Sequence, residues 1–352
     1  MKLYLISALL LIQFNCVGKK EKETSVQPDI IEDLLKATYE SGELNGNVLV
    51  VSKGKAIYEG SFGFADPEKE TPLTPAHRFG FGSIYKEFPA VAIMQLKSAG
   101  KLSLDDSVDQ YLLGLPAWSA DVSIRQLLFY MGGLPNVDWN TFFAKGDVVT
   151  EATLWKELST MEQLRSLPGT NYNYTNYSPF LLIKIIEAIT AEPFEEYAKT
   201  HLFDPAGMNN INMPSGYPYP PGSSMMAIPF SEEGEADGYA LSGISLLYCA
   251  TAQDLSGWVN ALHKGEIIPL EDLQVLAPTA NPKDEDQQSP LGNCKMLEHE
   301  ITEHIHHGSM GNYEALIHRN NEEDLTIVLL TNQKHSNVHE IAEAIQVAVL
   351  NH

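Results

Sequence analysis

The sequence predicts an α+β fold: an antiparallel sheet made from the two ends of the chain, flanked by terminal helices, with a mainly helical lobe inserted between the ends. Three observations carry this. Strand signals joined by tight turns lie at both ends, and hairpin connection makes a sheet antiparallel. A segment with helical period precedes the first strand pair and another follows the last. The middle, roughly residues 84–260, reads as helices and long connections such as the Gly- and Pro-rich stretch 217–222.

The first element follows Pro28: Ile30, Ile31, Leu34, Leu35 and Tyr39 recur with helical spacing. Asn47 to Ser52 is a β-rich run, Lys53 and Gly54 form a turn, and Lys55 to Phe64 returns as its hairpin partner. At the far end Tyr313 to Arg319 and Leu325 to Thr331 flank the polar turn 320–324. Val338, Ile341, Ile345 and Val349 then mark one face of a closing amphipathic helix. The expected folded unit is 28–352, with a sheet lobe of about 28–82 and 261–352 and a helical lobe of about 83–260. No internal repeat is visible. The charge run Asp284, Glu285 and Asp286 reads as a solvated loop.

Ahead of the fold, Lys2 precedes an apolar run from Leu3 to Phe14. About twelve residues are too few to span a bilayer, which needs ~20. A positive start and a short apolar core fit a secretory signal over 1–16. The run stops at Cys16, before a polar linker over 17–27, and so resembles a bacterial lipoprotein signal in which Cys16 carries the lipid. The expectation is an exported protein held at a membrane by that anchor.

The 352 residues include 44% hydrophobic and 20% charged side chains, enough to bury a sizeable core. Net charge is −23, which argues against a nucleic-acid partner, because phosphate contact needs a basic face. Cys16, Cys249 and Cys294 include no CxxC pair and cannot build a disulfide framework.

Ser-x-x-Lys is the first chemistry-bearing motif. At helical i, i+3 spacing the two side chains share a face, so the amine reaches the hydroxyl and can remove its proton. The chain holds three copies. Ser52–Lys55 straddles the hairpin turn, and Ser98–Lys101 straddles Gly100, a helix C-cap signal. Ser83–Lys86 instead follows Gly80, Phe81 and Gly82 and opens an apolar segment through Phe88, Val91, Ile93, Met94 and Leu96. A segment apolar all round is a buried helix. Ser83 at its start would meet free backbone N–H groups suited to an oxyanion. The bland alternative is a serine capping a core helix.

Tyr174-Thr175-Asn176 lies in a loop after Pro168, Gly169 and Thr170, before a helix that opens near Ser178 and Pro179. His306-His307-Gly308 lies on an edge strand where a glycine permits close approach. Metal binding by His299, His304, His306 and His307 competes with that reading. His299 and His304 are five apart rather than the four that put two ligands on one helix face, and the set has no tight Asp, Glu or Cys partner at a ligand spacing, so no metal is expected.

These pieces, in this order, resemble the beta-lactamase-related serine hydrolases, the superfamily of class C beta-lactamases, penicillin-binding D,D-peptidases, D-aminopeptidases and esterases. FGFGSIYKEFPAVAIMQLKSAGKLSLDDSVDQYLL looks like the nucleophile helix, and PGTNYNYTNYSPFLLIKIIEAIT like the second-motif loop and helix. FDPAGM at 203–208, TAQDLSGW at 251–258 and HHGSMGNY at 306–313 also match. The resemblance spans roughly 44–350 and implies a beta-lactamase/transpeptidase-like fold. It implies Ser83 as acylated nucleophile, Lys86 and Tyr174 as a shared general base, and Asn176, His306 and Gly308 as substrate-binding residues. The Ser83 N–H and the strand after Gly308 would form the oxyanion hole. No cofactor is implied, since nucleophile, base and donors all come from the protein; the acyl donor would be an ester, a D-amino-acid peptide or a beta-lactam.

The departures are specific. Tyr130-Met131-Gly132-Gly133 stands where many relatives carry His-Thr-Ser-Gly, and Leu246-Leu247 replaces a common Gly-Gly. Pro89 falls inside the nucleophile helix, where an interior proline costs ~3 kcal/mol and kinks the axis. They motivate a second reading: a ligand-binding or sensor protein on the same fold with little turnover.

Overall fold

Six strands form one antiparallel sheet: β1 (Gly46–Ser52), β2 (Lys55–Phe62), β3 (Asn293–Leu297), β4 (Glu300–Met310), β5 (Tyr313–Asn320) and β6 (Leu325–Thr331), in the order β2-β1-β6-β5-β4-β3. The computed structural model describes residues 28–351 except 145, 147, 220–222, 224, 244, 245, 282 and 285. The signal, the linker and Cys16 lie outside the described residues.

The two chain ends meet as β1 pairs with β6, from Gly46 opposite Thr331 to Ser52 opposite Leu325. Strand alternation divides the side chains between two layers. Val48, Val50, Ile327 and Leu329 face the terminal helices α1 (Pro28–Glu40) and, at the C-terminal end, Val338–Leu350, packing with Ile31, Leu35, Ile341 and Ile345. Leu49, Val328, Leu330, Ala315 and Ile317 face the larger core shared with the inserted lobe. Because β5 and β6 are covered on both faces, every one of their residues is buried.

The strand expected at His306 to Gly308 is present as β4, but it is not an edge strand, because the unanticipated β3 covers its outer side. β3 and β4 form a hairpin whose turn places Glu298 and His299 at φ of 48° and 78°, with no glycine to signal it. His299 therefore belongs to a turn, and His304 and His306 to a strand, where i and i+2 share a face.

In the inserted lobe, α2 (Glu87–Ser98), α3 (Tyr177–Thr190) and α4 (Ala252–His263) build the core around the site. The terminal helix Val338–Leu350 is α5. Phe88 on α2 packs edge-on against Trp258, Phe203 and Tyr248 at centroid distances of 4.8, 4.9 and 5.4 Å. α4 lies on β1, β5 and β6, so the expected lobe boundary near 260 falls inside a helix that packs on the sheet. Among the described residues no helix is long and apolar enough to cross a membrane.

Candidate active site

Ser83 is presented by a tight 3-10 turn, Gly82–Lys86, rather than by the first turn of a regular α-helix. The turn follows a short antiparallel pairing of Phe79–Gly80 with Cys249–Ala250. α2 begins at Glu87, so Pro89 is its third residue. First-turn N–H groups have no intrahelical partner, so the proline removes no helix bond there. Two glycines let this turn meet β4. Gly82 adopts φ +50°, and a Cβ there would lie 2.5 Å from the Ser309 nitrogen. A Cβ on Gly308 would lie 2.0 Å from the Phe81 carbonyl oxygen and 3.0 Å from the Ser83 nitrogen.

Lys86 Nζ donates to Ser83 Oγ at 2.9 Å. Lys86 is 3% exposed, and burial alone pulls its pKa from 10.5 to about 7. At neutral pH a large fraction of this amine is therefore unprotonated and able to accept a proton. The ammonium nitrogen also sits 4.7 Å from the Tyr174 ring centroid and 4.9 Å from that of Tyr85. The Tyr174 hydroxyl is buried and makes no formed hydrogen bond. Burial raises its pKa to about 12, and a weak pull from the Ser83 hydroxyl opposes this. Tyr85 donates to Asn176 Oδ1 at 3.2 Å, which ties the Tyr174 loop to the nucleophile turn. Ser83, Lys86, Tyr174 and Asn176 thus converge as expected.

The other two Ser-x-x-Lys copies do not. Ser52 ends β1 and Lys55 begins β2, and Ser98 Oγ donates to Asp272 at 2.5 Å.

The divergent segment Tyr130 to Gly133 still braces the Tyr174 loop. Asn173 N–H donates to the Tyr130 carbonyl at 2.8 Å and Gly169 N–H to the Met131 carbonyl at 2.7 Å. The Tyr130 ring stands 4.7 Å from the Tyr174 ring. Backbone bonds do this work, so the loop tolerates a change of side chain.

Above Ser83 opens a cleft of about 390 Å³. Trp139, Tyr239, Leu241, Leu246 and Met310 make it largely apolar, with Lys86, Asn176 and Ser309 as polar points. Leu246, one of the departures, therefore forms wall. Ser309 Oγ accepts from Lys334 Nζ at 2.8 Å, a cation that sequence reasoning missed. His306 and Gly308, expected on the wall, sit one layer behind it. His306 is 2% exposed, Gly308 is packed on the Phe81 carbonyl, and the following residues Ser309 to Gly311 reach the cleft.

His306 meets a partner absent from its sequence neighbourhood. Its Nδ1 lies 2.5 Å from Glu87 Oε1, and His304 Nε2 lies 3.0 Å from the same oxygen. The acidic partner that seemed missing thus comes from α2, next to Lys86. The ligating atoms of these three residues all fall within 4.8 Å of one another. They are nonetheless bonded to each other: two ligands at ~2.0–2.1 Å from one tetrahedral zinc stand roughly 3.3 Å apart, well beyond the His306–Glu87 separation. The trio as it stands is a hydrogen-bonded cluster and not a metal cradle.

The Beta-lactamase family model matches residues 30–352. The chain belongs to the Beta-lactamase family. Among curated relatives in that family, penicillin-binding protein 4* of Bacillus subtilis is 32% identical over 189 residues, covering 52% of this chain and 41% of its own length. Protein flp of Staphylococcus aureus is 21% identical over 355 residues, covering 92% and 66%. This chain therefore spans from under half to about two thirds of those relatives' lengths. Among solved structures, a penicillin-binding protein from Bacillus halodurans superposes with a TM-score of 0.75 at 20% identity, covering 90% of this chain and 98% of that one. The D-amino acid amidase of Ochrobactrum anthropi gives 0.74 at 19%, covering 92% and 98%. These superpositions establish the Beta-lactamase family fold, a mixed α/β architecture with an antiparallel sheet.

Proposed function

We propose that this protein is a serine hydrolase working through an acyl-enzyme on Ser83. The observation that carries the reading is the 2.9 Å bond from a buried, pKa-depressed Lys86 to a serine at the floor of an apolar cleft. Ser83 Oγ attacks the acyl carbon as Lys86, with Tyr174 beside it, takes the hydroxyl proton. The proton passes to the leaving group as the bond from carbonyl carbon to nitrogen or oxygen breaks. Water then attacks the ester and returns Ser83. The Ser83 N–H and an N–H of the strand after Gly308 stabilise the oxyanion.

The acyl donor we favour is an ester or amide of an apolar acyl group, because Trp139, Tyr239, Leu241, Leu246 and Met310 surround the serine. A beta-lactam or D-amino-acid peptide fits the same chemistry, in keeping with the names of the penicillin-binding and amidase relatives. The binding-protein alternative drew on Tyr130 to Gly133 and on Pro89, and both are accommodated without displacing Ser83, Lys86 or Tyr174.

Intact mass after fluorophosphonate treatment tests the reading. A single adduct is expected on the wild type and none on folded Ser83→Ala. Lys86→Ala and Tyr174→Phe should slow adduct formation by about 10²-fold or more. An adduct that survives Ser83→Ala sinks the assignment. We further propose export to the cell envelope with lipid on Cys16. In a bacterial host Cys16→Ser should shift the protein from the membrane to the soluble fraction, and unchanged fractionation would remove the anchor.

A further inference from the structure

Glu87 is a fully buried carboxylate that the acyl-transfer scheme leaves without a role. Its oxygens collect three donors. His304 Nε2 and His306 Nδ1 point at Oε1 at 3.0 and 2.5 Å, and Trp258 Nε1 donates to Oε2 at 2.6 Å. Burial alone would raise its pKa, yet His304 and His306 together hold it well below the carboxylate range. Glu87 is therefore ionised.

The proton positions behind it follow from one amide. Asn321 Nδ2 donates to the Ile301 carbonyl at 2.7 Å, and its Oδ1 accepts from Arg319 Nε at 2.9 Å, which fixes the amide's orientation. The same Nδ2 lies 2.9 Å from His263 Nδ1, so that nitrogen accepts. His263, its pKa pushed down to about 3 chiefly by burial, is neutral and carries its proton on Nε2. That N–H points at His304 Nδ1, 3.0 Å away, which leaves the His304 proton on Nε2, aimed at Glu87. Donation thus runs one way from Arg319 through Asn321, His263 and His304 to Glu87, and no donor opposes another.

His306 approaches Glu87 from the other side. Burial lowers its pKa against the pull of Glu87, which favours the neutral ring, and the 2.5 Å contact to Glu87 Oε1 puts the proton of that neutral ring on Nδ1. The charge of Lys86 also acts on this ring. The charged or titratable groups around this cluster are Lys86 and Glu87 from the nucleophile segment, His304 from β4, His263 from α4, Arg319 from β5, and Cys294 from β3, whose thiol burial and then Glu87 push upward.

We infer that Glu87 is a positioning residue for Ser83 acylation: its carboxylate, oriented by the donor chain from Arg319, fixes His306 with the proton on Nδ1 and the lone pair on Nε2, within the field of Lys86. This rests on the acyl-enzyme reading. With its proton held on Nδ1 and no net charge, the ring does not oppose the lysinium formed when Lys86 takes the Ser83 proton, whereas an imidazolium would. It also means that His306, unlike a lysine at the same place, offers no cation to a substrate carboxylate.

The test uses the full chain labelled with ¹⁵N, wild type and Glu87→Gln. Ring-nitrogen shifts report the His306 tautomer, and the rate of fluorophosphonate adduct formation is followed against pH. In the wild type His306 should be neutral with the proton on Nδ1 from pH 6 to 8. In Glu87→Gln an amide N–H₂ must face either Trp258 or the two imidazoles. The His306 proton should move to Nε2, the acid limb of acylation should fall by about one pH unit, and the plateau rate should drop about ten-fold. A folded variant with the tautomer and acid limb both unmoved overturns the inference. If Glu87→Gln does not fold, the wild type decides alone: a charged His306 at pH 7, a proton on Nε2, or stoichiometric zinc in the native protein overturns it. A wild type that takes no adduct defeats the acyl-enzyme reading, while the nitrogen shifts still judge the tautomer.

Discussion

At the residue scale, burying Lys86 makes it a base and strains the fold by the same physics. Its folded pKa of about 7 lies below the unfolded 10.5, so between those values the unfolded chain binds more protons. Wild-type stability contributed by this group therefore rises with pH from about 7 to 10.5 and is lowest below 7. Lys86→Met keeps the chain length and removes the charge. It should stabilise the protein by about 2 kcal/mol at pH 7, after losing the bond to Ser83, and the advantage should shrink toward pH 10. Urea denaturation of both proteins at pH 7 and 9.5 measures this. A variant less stable at pH 7 would mean that the lysine is charged and compensated. For acylation, which needs the neutral amine, the rate should climb through pH 7 and level off above it.

At the element scale, the site depends on β4 pressing its backbone against the nucleophile turn. Gly308 permits this because a Cβ would stand 2.0 Å from the Phe81 carbonyl oxygen, a backbone atom that cannot swing aside. Gly308→Ala should cost about 2–3 kcal/mol, as overpacking does, and slow Ser83 labelling at least 100-fold. Gly100→Ala, with nothing within 4 Å of its Cβ, should cost only its φ of +67° and leave labelling intact. Equal labelling of both variants would separate the turn from β4. The same strand shows where the sequence was legible. β1, β2, β5 and β6 alternate or run apolar and end at polar turns, so their bounds were readable to within two residues. β4 is studded with Glu303, His304, His306 and His307, and its turn lacks glycine, so beyond His306 to Gly308 nothing local marked its extent or its hairpin partner β3. Ser83, Lys86, Tyr174 and Asn176 were legible as ordered motifs. Glu87 was not: beside Lys86 it looks like an ordinary helix start, and its partners lie 171 to 219 residues away. Lys334 was missed for the same reason, since only the fold brings it to Ser309.

At the scale of the whole molecule, a net charge of −23 sets a repulsive field for any anion approaching the cleft. Against it stand two local cations, the partly protonated Lys86 and Lys334 on Ser309. Salt distinguishes the two, because the Debye length falls from ~30 Å at 0.01 M to ~8 Å at 0.15 M. A field summed over the protein surface is largely removed over that range, while a contact at 2.8 Å is not. With matched anionic and neutral esters, kcat/KM for the anionic one should rise about three-fold from 0.01 to 0.15 M salt, and that for the neutral one should stay level. A fall for the anionic ester would mean that Lys86 and Lys334 dominate encounter, and that this cleft draws in carboxylate-bearing substrates despite the acidic surface around it.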